Sequence, residues 1–271
     1  MTQKIQEIYN RLHNFESKSK KTKGENRLYP VHKKLLFSEE KYTDISDWII
    51  ENLKIKETDH VLDAGCGVGY VLTKICNNFN CIGLGISLSE KEIEYATKIS
   101  VDTGKKKRLS FQQKSFDDKF DDKFDVIIAI ESIKHSDSIQ ETIENFADHL
   151  NPGGRIFILD DFATNTRFRF LKKQVQKYWA VDTFYTLNSV EKKLNELKLP
   201  CEIVNFTPNV TYSKKRFTAA KLVLLFPVLF LAKLFPVFKI YSIYVAGFCL
   251  ERLYKKQALE YKAIIATKPV S

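Results

Sequence analysis

Polar and apolar positions fall into three regimes along the chain. Up to about residue 55 the spacing is helical. In SEEKYTDISDWIIENLKI, Ile45, Trp48, Ile49 and Leu53 recur on one face of a 3.6-residue period. KSKKTKGEN, around Ser19 to Asn26, interrupts this pattern and predicts a loop. From His60 onward, short apolar runs alternate with helical ones. HVLDA, CIGLGIS, RLSFQQ, FDVIIAI and RIFILDDF read as strands; VLTKICNNF, SEKEIEYATKIS and SIQETIENFADHL read as the helices between them. FDVIIAI is apolar at odd and even positions alike, which predicts a central strand covered on both faces. NPGG predicts a turn ahead of RIFILDDF. After Phe162 the rhythm breaks. Residues 164–187 are aromatic and basic, SVEKKLNELKL predicts a helix, and CEIVNFT a strand. An apolar segment at 217–250 precedes a last strand, KAIIAT. Strands alternating with helices predict an α/β fold: a Rossmann-like, doubly wound, mostly parallel seven-stranded sheet. A helical N-terminal segment and an apolar helical insertion before the last strand complete that expectation. DDKF occurs twice in tandem at 117–124, too short for a structural repeat and read as a solvated loop.

Composition narrows the class. The 271 residues are 44% hydrophobic, enough for a sizeable core, with only 10 Gly and 7 Pro. The five Cys show no CxxC and no Cys/His ligand spacing, so neither a disulfide scaffold nor a metal site is expected. Reduced thiols and the polar opening MTQKIQEIYN predict a cytoplasmic compartment without a secretory signal. The net charge of +10 is uneven. Residues 211–256 carry +8 and the first 41 carry +5, so the remainder is net acidic.

The most informative residues are VLDAGCGVGYV, Val61 to Val71. A strand ends at Asp63–Ala64, and Gly65, Gly67 and Gly69 lead into a helix. Glycine is required where backbone turns tightly and approaches a ligand closely. After the first strand of an α/β pattern, such a turn points to a nucleotide-type site. The spacing is not the dinucleotide GxGxxG, and the absence of GK[ST] excludes a P-loop.

DAGCGVGY resembles the first motif of class I S-adenosylmethionine-dependent methyltransferases. The resemblance continues through IGLGISLSEKEIEYA (82–96), FDVIIAIESIKHSDS (124–138) and LNPGGRIFILDDF (150–162), in the family's order. It covers roughly residues 58–162. In detail it is similar to the branch holding cyclopropane-fatty-acid synthases and the sterol, tocopherol and isoprenoid C-methyltransferases. The resemblance implies S-adenosylmethionine as cofactor and S-adenosylhomocysteine as product. It also implies an organisation into a helical N-terminal cap over the cofactor site (1–55), a cofactor-binding core (56–163), and the rest of the sheet with an acceptor lid (164–271), all within a single structural domain.

Residue by residue, the resemblance implies that Gly65, Cys66, Gly67 and Gly69 bring backbone to the methionine part of the cofactor, with Asp63 orienting the turn. Where most class I enzymes hold the ribose with an acid after strand two, this chain has Gly85-Ile86-Ser87. The branch uses a Gln, whose place Glu92 takes here, so Glu92 is assigned to the ribose with Ser87 nearby. The other reading is a capping box between Ser89 and Glu92. Ser115 and Phe116 match the adenine position, and Ile130 ends the fourth strand on the cofactor side. Methyl transfer needs alignment in a dry site, and a base only where the acceptor loses a proton. Glu131 and His135 follow strand four and are the candidate catalytic residues. Many relatives carry an acid directly before that His, whereas this chain has Lys134. The alternative for His135 is a helix cap. Tyr29 and His32, in LYPVHKKL, are further candidates over the cofactor and the acceptor. Asp160 and Asp161 either face the site mouth or cap a loop.

The acceptor is expected to be a hydrophobic, anionic small molecule. In 217–250 the longest uninterrupted apolar run, Leu222–Ala232, has 11 residues, short of the roughly 20 needed to span a bilayer. Three readings of this insertion stand: an acceptor lid, a peripheral membrane contact, or an oligomer surface. Nucleic acid ranks lower. RFRFLKKQVQKYW (167–179) interleaves aromatics with cations as base-stacking platforms do, but an acceptor lid is preferred.

Overall fold

A computed structural model describes residues 5–10, 44–102, 108–181, 183–210, 227 and 239–270. Residues 5–10 are helical. Thereafter come α1 (Ile45–Asn52), β1 (His60–Ala64), α2 (Tyr70–Phe79), β2 (Ile82–Ser87), α3 (Glu90–Asp102), β3 (Leu109–Gln113) and β4 (Phe124–Ile130). A 3-10 turn (Ile133–His135) leads to α4 (Ile139–Asp148), β5 (Leu150–Ala163), α5 (Arg169–Trp179), α6 (Leu187–Glu196), β6 (Cys201–Asn205), α7 (Lys239–Lys255) and β7 (Leu259–Thr267). Tyr29, His32 and most of 217–250 lie outside the described residues. Among the described residues no helix is long and apolar enough to cross a membrane.

The strands form one sheet in the order β3-β2-β1-β4-β5-β7-β6, parallel except for β7, which runs antiparallel to both neighbours. Period-two alternation divides each central strand between two cores. Val61, Val126, Ile128, Phe157 and Leu159 face α1, α2, α5 and α7 on one side. Leu62, Ile127, Ala129, Ile156 and Ile158 face α4 and α6 on the other. Both faces are therefore dry, which is why β4 reads as an unbroken apolar run. Strand order reverses between β1 and β4, the switch point at whose carboxyl ends open α/β sheets bind their ligands.

Local signals mark the boundaries. Asp44 caps α1 in a capping box with Asp47, and Ser138 caps α4 by accepting from Glu141 N. The predicted NPGG turn lies inside β5. Its pairing with β4 jumps from Phe124↔Leu150 to Val126↔Arg155, so Asn151–Gly154 form an excursion that strand pairing brackets.

The Phe146 ring is wholly buried on α4 against Phe116, with centroids 6.4 Å apart. Phe146→Ala is expected to lower stability by about 3–5 kcal/mol, seen as a lower urea midpoint at unchanged slope.

Candidate functional site

Three loops converge at the carboxyl ends of the parallel strands. The first is the glycine turn after β1. Gly65, Gly67 and Gly69 all have positive φ, at 98°, 53° and 74°. Two of them are glycine for packing. A Cβ on Gly65 would lie 2.4 Å from Ser132 Cβ, and one on Gly69 would lie 2.6 Å from the Phe111 ring. Gly67 differs: a Cβ there would meet only Glu92 Oε1, at 3.8 Å. Its backbone is thus the open part of the turn, with a carboxylate along one side. Gly65 N and Cys66 N both donate to Ile86 O at 2.9 Å, which ties the turn to the end of β2. Cys66 is buried with its thiol pushed well up by desolvation, so it is neutral lining and not a nucleophile. Asp63 is buried at the end of β1.

The second loop follows β2. The expected capping box is only half formed. Ser89 Oγ accepts from Glu92 N at 3.3 Å, but Ser89 N donates to Ser87 Oγ at 3.1 Å. Ser87 Oγ in turn donates to Glu92 Oε2 at 2.9 Å. Ser87 thus orients the Glu92 carboxylate toward Gly67. Ser89 Oγ also donates to Asn10 Oδ1 at 2.7 Å, which docks the N-terminal helical segment here.

The third loop follows β4 and holds most of the charge. Glu131 takes φ +51°, a left-handed conformation that non-glycine residues seldom adopt. Ser132 Oγ donates to Ala64 O at 2.7 Å, joining this loop to the glycine turn. Lys134, only 4% exposed, directs its ammonium at Asp160 Oδ1 and Asp161 Oδ2, both at 3.1 Å, and at Glu131 Oε2 at 3.9 Å. Burial alone would favour loss of the Lys134 proton. Asp160, Asp161 and Glu131 outweigh it and hold the ammonium well above its ordinary value. Burial also pushes the Asp160 carboxyl up against the opposing pull of Lys134. Two phenols complete the cluster: Tyr261 on β7 donates to Glu131 Oε1 at 2.9 Å, and Tyr254 on α7 donates to Asp161 Oδ1. Burial and the neighbouring carboxylates keep both phenols protonated.

Asp160 and Asp161 are buried, which corrects the reading that they face the site mouth. β5 runs past them to Ala163 and both anchor the Lys134 ammonium, while the capping reading holds for Asp160, whose Oδ2 accepts from Lys134 N in the 3-10 turn at 3.2 Å. His135 also differs from the expected helix cap, a role Ser138 takes. His135 Nδ1 lies 3.1 Å from Ala180 O and Nε2 lies 2.9 Å from Tyr9 Oη. A carbonyl only accepts, so Nδ1 carries the proton and Nε2 receives the Tyr9 hydroxyl. Burial, reinforced by Lys134, lowers His135 to about 4, and the ring is neutral near pH 7.

Ser115 and Phe116 are held by local and core contacts. Ser115 Oγ accepts from Asp117 N at 3.1 Å, and Phe116 packs into the core against Phe146. Ile130 is buried at the end of β4. Tyr9, Ser132, Tyr254 and Tyr261 are site residues that sequence reasoning missed. Only Ser132, inside ESIKH, stood in a segment already singled out.

A family model described as a methyltransferase domain matches residues 37–207. An O-methyltransferase of Pyrenophora dematioidea is 33% identical over 125 residues, 41% of this chain and 43% of that protein. The sterol 4-C-methyltransferase strm-1 of Caenorhabditis elegans is 29% identical over 122 residues, 43% of this chain and 35% of that protein. The matched stretches thus span less than half of either relative. Among solved structures, a geranyl diphosphate methyltransferase in complex with GPP and sinefungin aligns with TM-score 0.73 at 14% identity, covering 97% of this chain and 99% of that one. The cyclopropane synthase MmaA2 from Mycobacterium tuberculosis aligns with TM-score 0.66 at 16% identity, covering 88% and 90%. At such identities the likeness establishes a shared fold.

His135 gives a pH signature. The unfolded chain protonates it near 6.5 and the folded protein only near 4, so the unfolded state binds more protons in between and stability rises with pH. This contribution, of order 3 kcal/mol, is complete above about pH 6.5 and lost as pH falls toward 4. His135→Gln is expected to flatten that part of the stability profile, checked by urea unfolding at a series of pH values.

Proposed function

The chain belongs to the methyltransferase domain family, whose donor is S-adenosylmethionine, and on that premise we propose that it methylates a lipophilic or amphiphilic small molecule, with C-methylation of an isoprenoid or lipid as the first choice. The observation that carries this reading is the open backbone at Gly67, flanked by the Glu92 carboxylate, in the turn whose Gly65 packs on Ser132 after β4.

The residues present fit the donor. A side chain at Gly67 would occupy the space where its backbone is bare, and Glu92 with Ser87 offers a carboxylate and a hydroxyl suited to a ribose diol. Asp63 at the end of β1 and Glu131 after β4 add carboxylates beside the glycine turn, which suits a ligand bearing cationic groups. When bound, S-adenosylmethionine supplies an electrophilic methyl on a good leaving group.

What remains for the protein is alignment and exclusion of water. Glu131 is held by Tyr261 from one side and Lys134 from the other, so its carboxylate keeps one orientation at the loop crossing. His135 donates to Ala180 O and accepts from Tyr9, an arrangement that positions residues 5–10 beside the loop and leaves neither ring nitrogen free for the acceptor. His135 thus serves as a positioning residue in this structure; the acceptor-facing base that the resemblance implied would require Tyr9 to leave. The acceptor class is supported by the geranyl diphosphate and cyclopropane relatives of the fold and by the sterol relative in sequence. The concentration of basic residues in 211–256 suits an anionic group on that acceptor. A second reading, O-methylation, is favoured by the 33% identity to an O-methyltransferase.

Gly67→Arg, strained by the positive φ although its Cβ meets no backbone, is expected to lose calorimetrically measurable binding of S-adenosylmethionine and S-adenosylhomocysteine, with a thermal melt to show that the variant is folded. Unchanged affinity would place the donor elsewhere. A labelled-methyl assay against prenyl diphosphates, sterols, phenolic lipids and RNA tests the acceptor. Label is expected on a lipid-soluble product at carbon; label on oxygen would select the second reading, and label only in RNA would reject both.

A further inference from the structure

The proposed chemistry leaves one surface unused. Residues 164–170, TNTRFRF, join β5 to α5, and all seven are exposed. Phe168 is 37% and Phe170 52% exposed, two of the few large apolar side chains at the surface among the described residues. The exposed part of such side chains costs free energy in water. They do not stand alone. Phe170, Lys173 and Lys177 occur at i, i+3 and i+7 of α5, one stripe of a helix, and Lys173 and Lys177 are exposed as well. Arg167 and Arg169 flank the aromatics. Residues 162–181 contain five Lys and Arg and no Asp or Glu. Among the described residues, Arg167, Arg169, Lys173 and Lys177 form no ion pair with a carboxylate.

The opposite side of α5 is firmly seated. Val175 is fully buried, and Trp179 Nε1 donates to Ile243 O on α7 at 3.0 Å. The helix therefore presents its Phe–Lys stripe from a fixed base. It starts just beyond the carboxyl end of β5, the end of the sheet where the glycine turn and Glu131 lie.

We infer that this face docks the protein on an anionic lipid bilayer, with Phe168 and Phe170 entering the interfacial layer and Arg167, Arg169, Lys173 and Lys177 meeting lipid phosphates. Charge complementarity selects that partner: cations with no acid among them, around apolar rings that carry no polar edge. Single-stranded RNA would use the same residue types, but it needs a groove that follows its backbone. Seven consecutive exposed residues project outward instead. Docking this way brings the site end of the sheet toward the membrane, where a lipid-soluble acceptor resides. The contact is independent of which atom is methylated.

The test is co-sedimentation of the full chain with vesicles of phosphatidylcholine alone or with phosphatidylglycerol added, with no methyl donor present. The protein is expected to pellet with anionic vesicles at least about tenfold more strongly than with neutral ones, and less so as salt is raised. Phe168→Asn with Phe170→Ser is expected to weaken binding about tenfold or more; Asn tolerates the left-handed φ at 168. Lys173→Gln with Lys177→Gln is expected to weaken it about fivefold per charge. An unchanged thermal melt shows that these surface variants fold. Three results would overturn the inference: no anionic preference, both variants binding as the parent does, or RNA displacing the vesicles from the same residues. Methyl transfer is read separately, so a failure here leaves the proposed reaction standing.

Discussion

The ammonium of Lys134 is the point on which the carboxyl-end architecture depends. It is buried where an isolated charge would cost several kcal/mol, and it is stable there because three carboxyl groups surround it. These come from the turn after β4 and from β5, and the phenols that satisfy them come from β7 and α7. One cation thereby fixes four elements at the end of the sheet. Removing it would leave buried carboxylates facing one another, which is costlier than losing the attraction itself.

The same cluster explains the backbone at Glu131. A left-handed φ on a glutamate is unfavourable by itself. It is maintained because Ser132 holds the glycine turn, Lys134 reaches β5, and Glu131 N donates to Leu159 O at 2.7 Å. The turn after β4 thus has one geometry, pressed against Gly65 so closely that no other residue fits there. The strain sits in the loop that packs on the glycine turn. The neutral His135 extends this fixed geometry to Tyr9 and Ala180, linking the N-terminal segment to the start of the C-terminal half.

Most of the fold was legible in the chain. All seven strands were anticipated, with β5 and β7 longer than their apolar runs suggested. The reason is physical: alternation with helices and double-sided apolarity are local consequences of a parallel sheet buried on both faces. The glycine turn was legible for a similar reason, since backbone that must adopt positive φ leaves a local mark. Ser87 and Glu92 bond to one another in the loop after β2, and Glu131 follows β4.

The roles of the polar residues were not legible. Lys134 looked like a mere departure from a pattern, and Asp160 and Asp161 looked like loop ends. Their pairing spans 26 and 27 positions and depends on β4 and β5 lying side by side. Tyr9 and Tyr261 reach His135 and Glu131 across 126 and 130 positions. The sequence by itself determined the layers, the strand succession and the turn that bares its backbone, because those follow from the periodicity and conformational freedom of neighbouring residues. Tertiary structure alone decided which charges neutralise one another, which imidazole is silenced and which aromatics reach the surface, because desolvation and pairing exist only once distant segments share the same dry space.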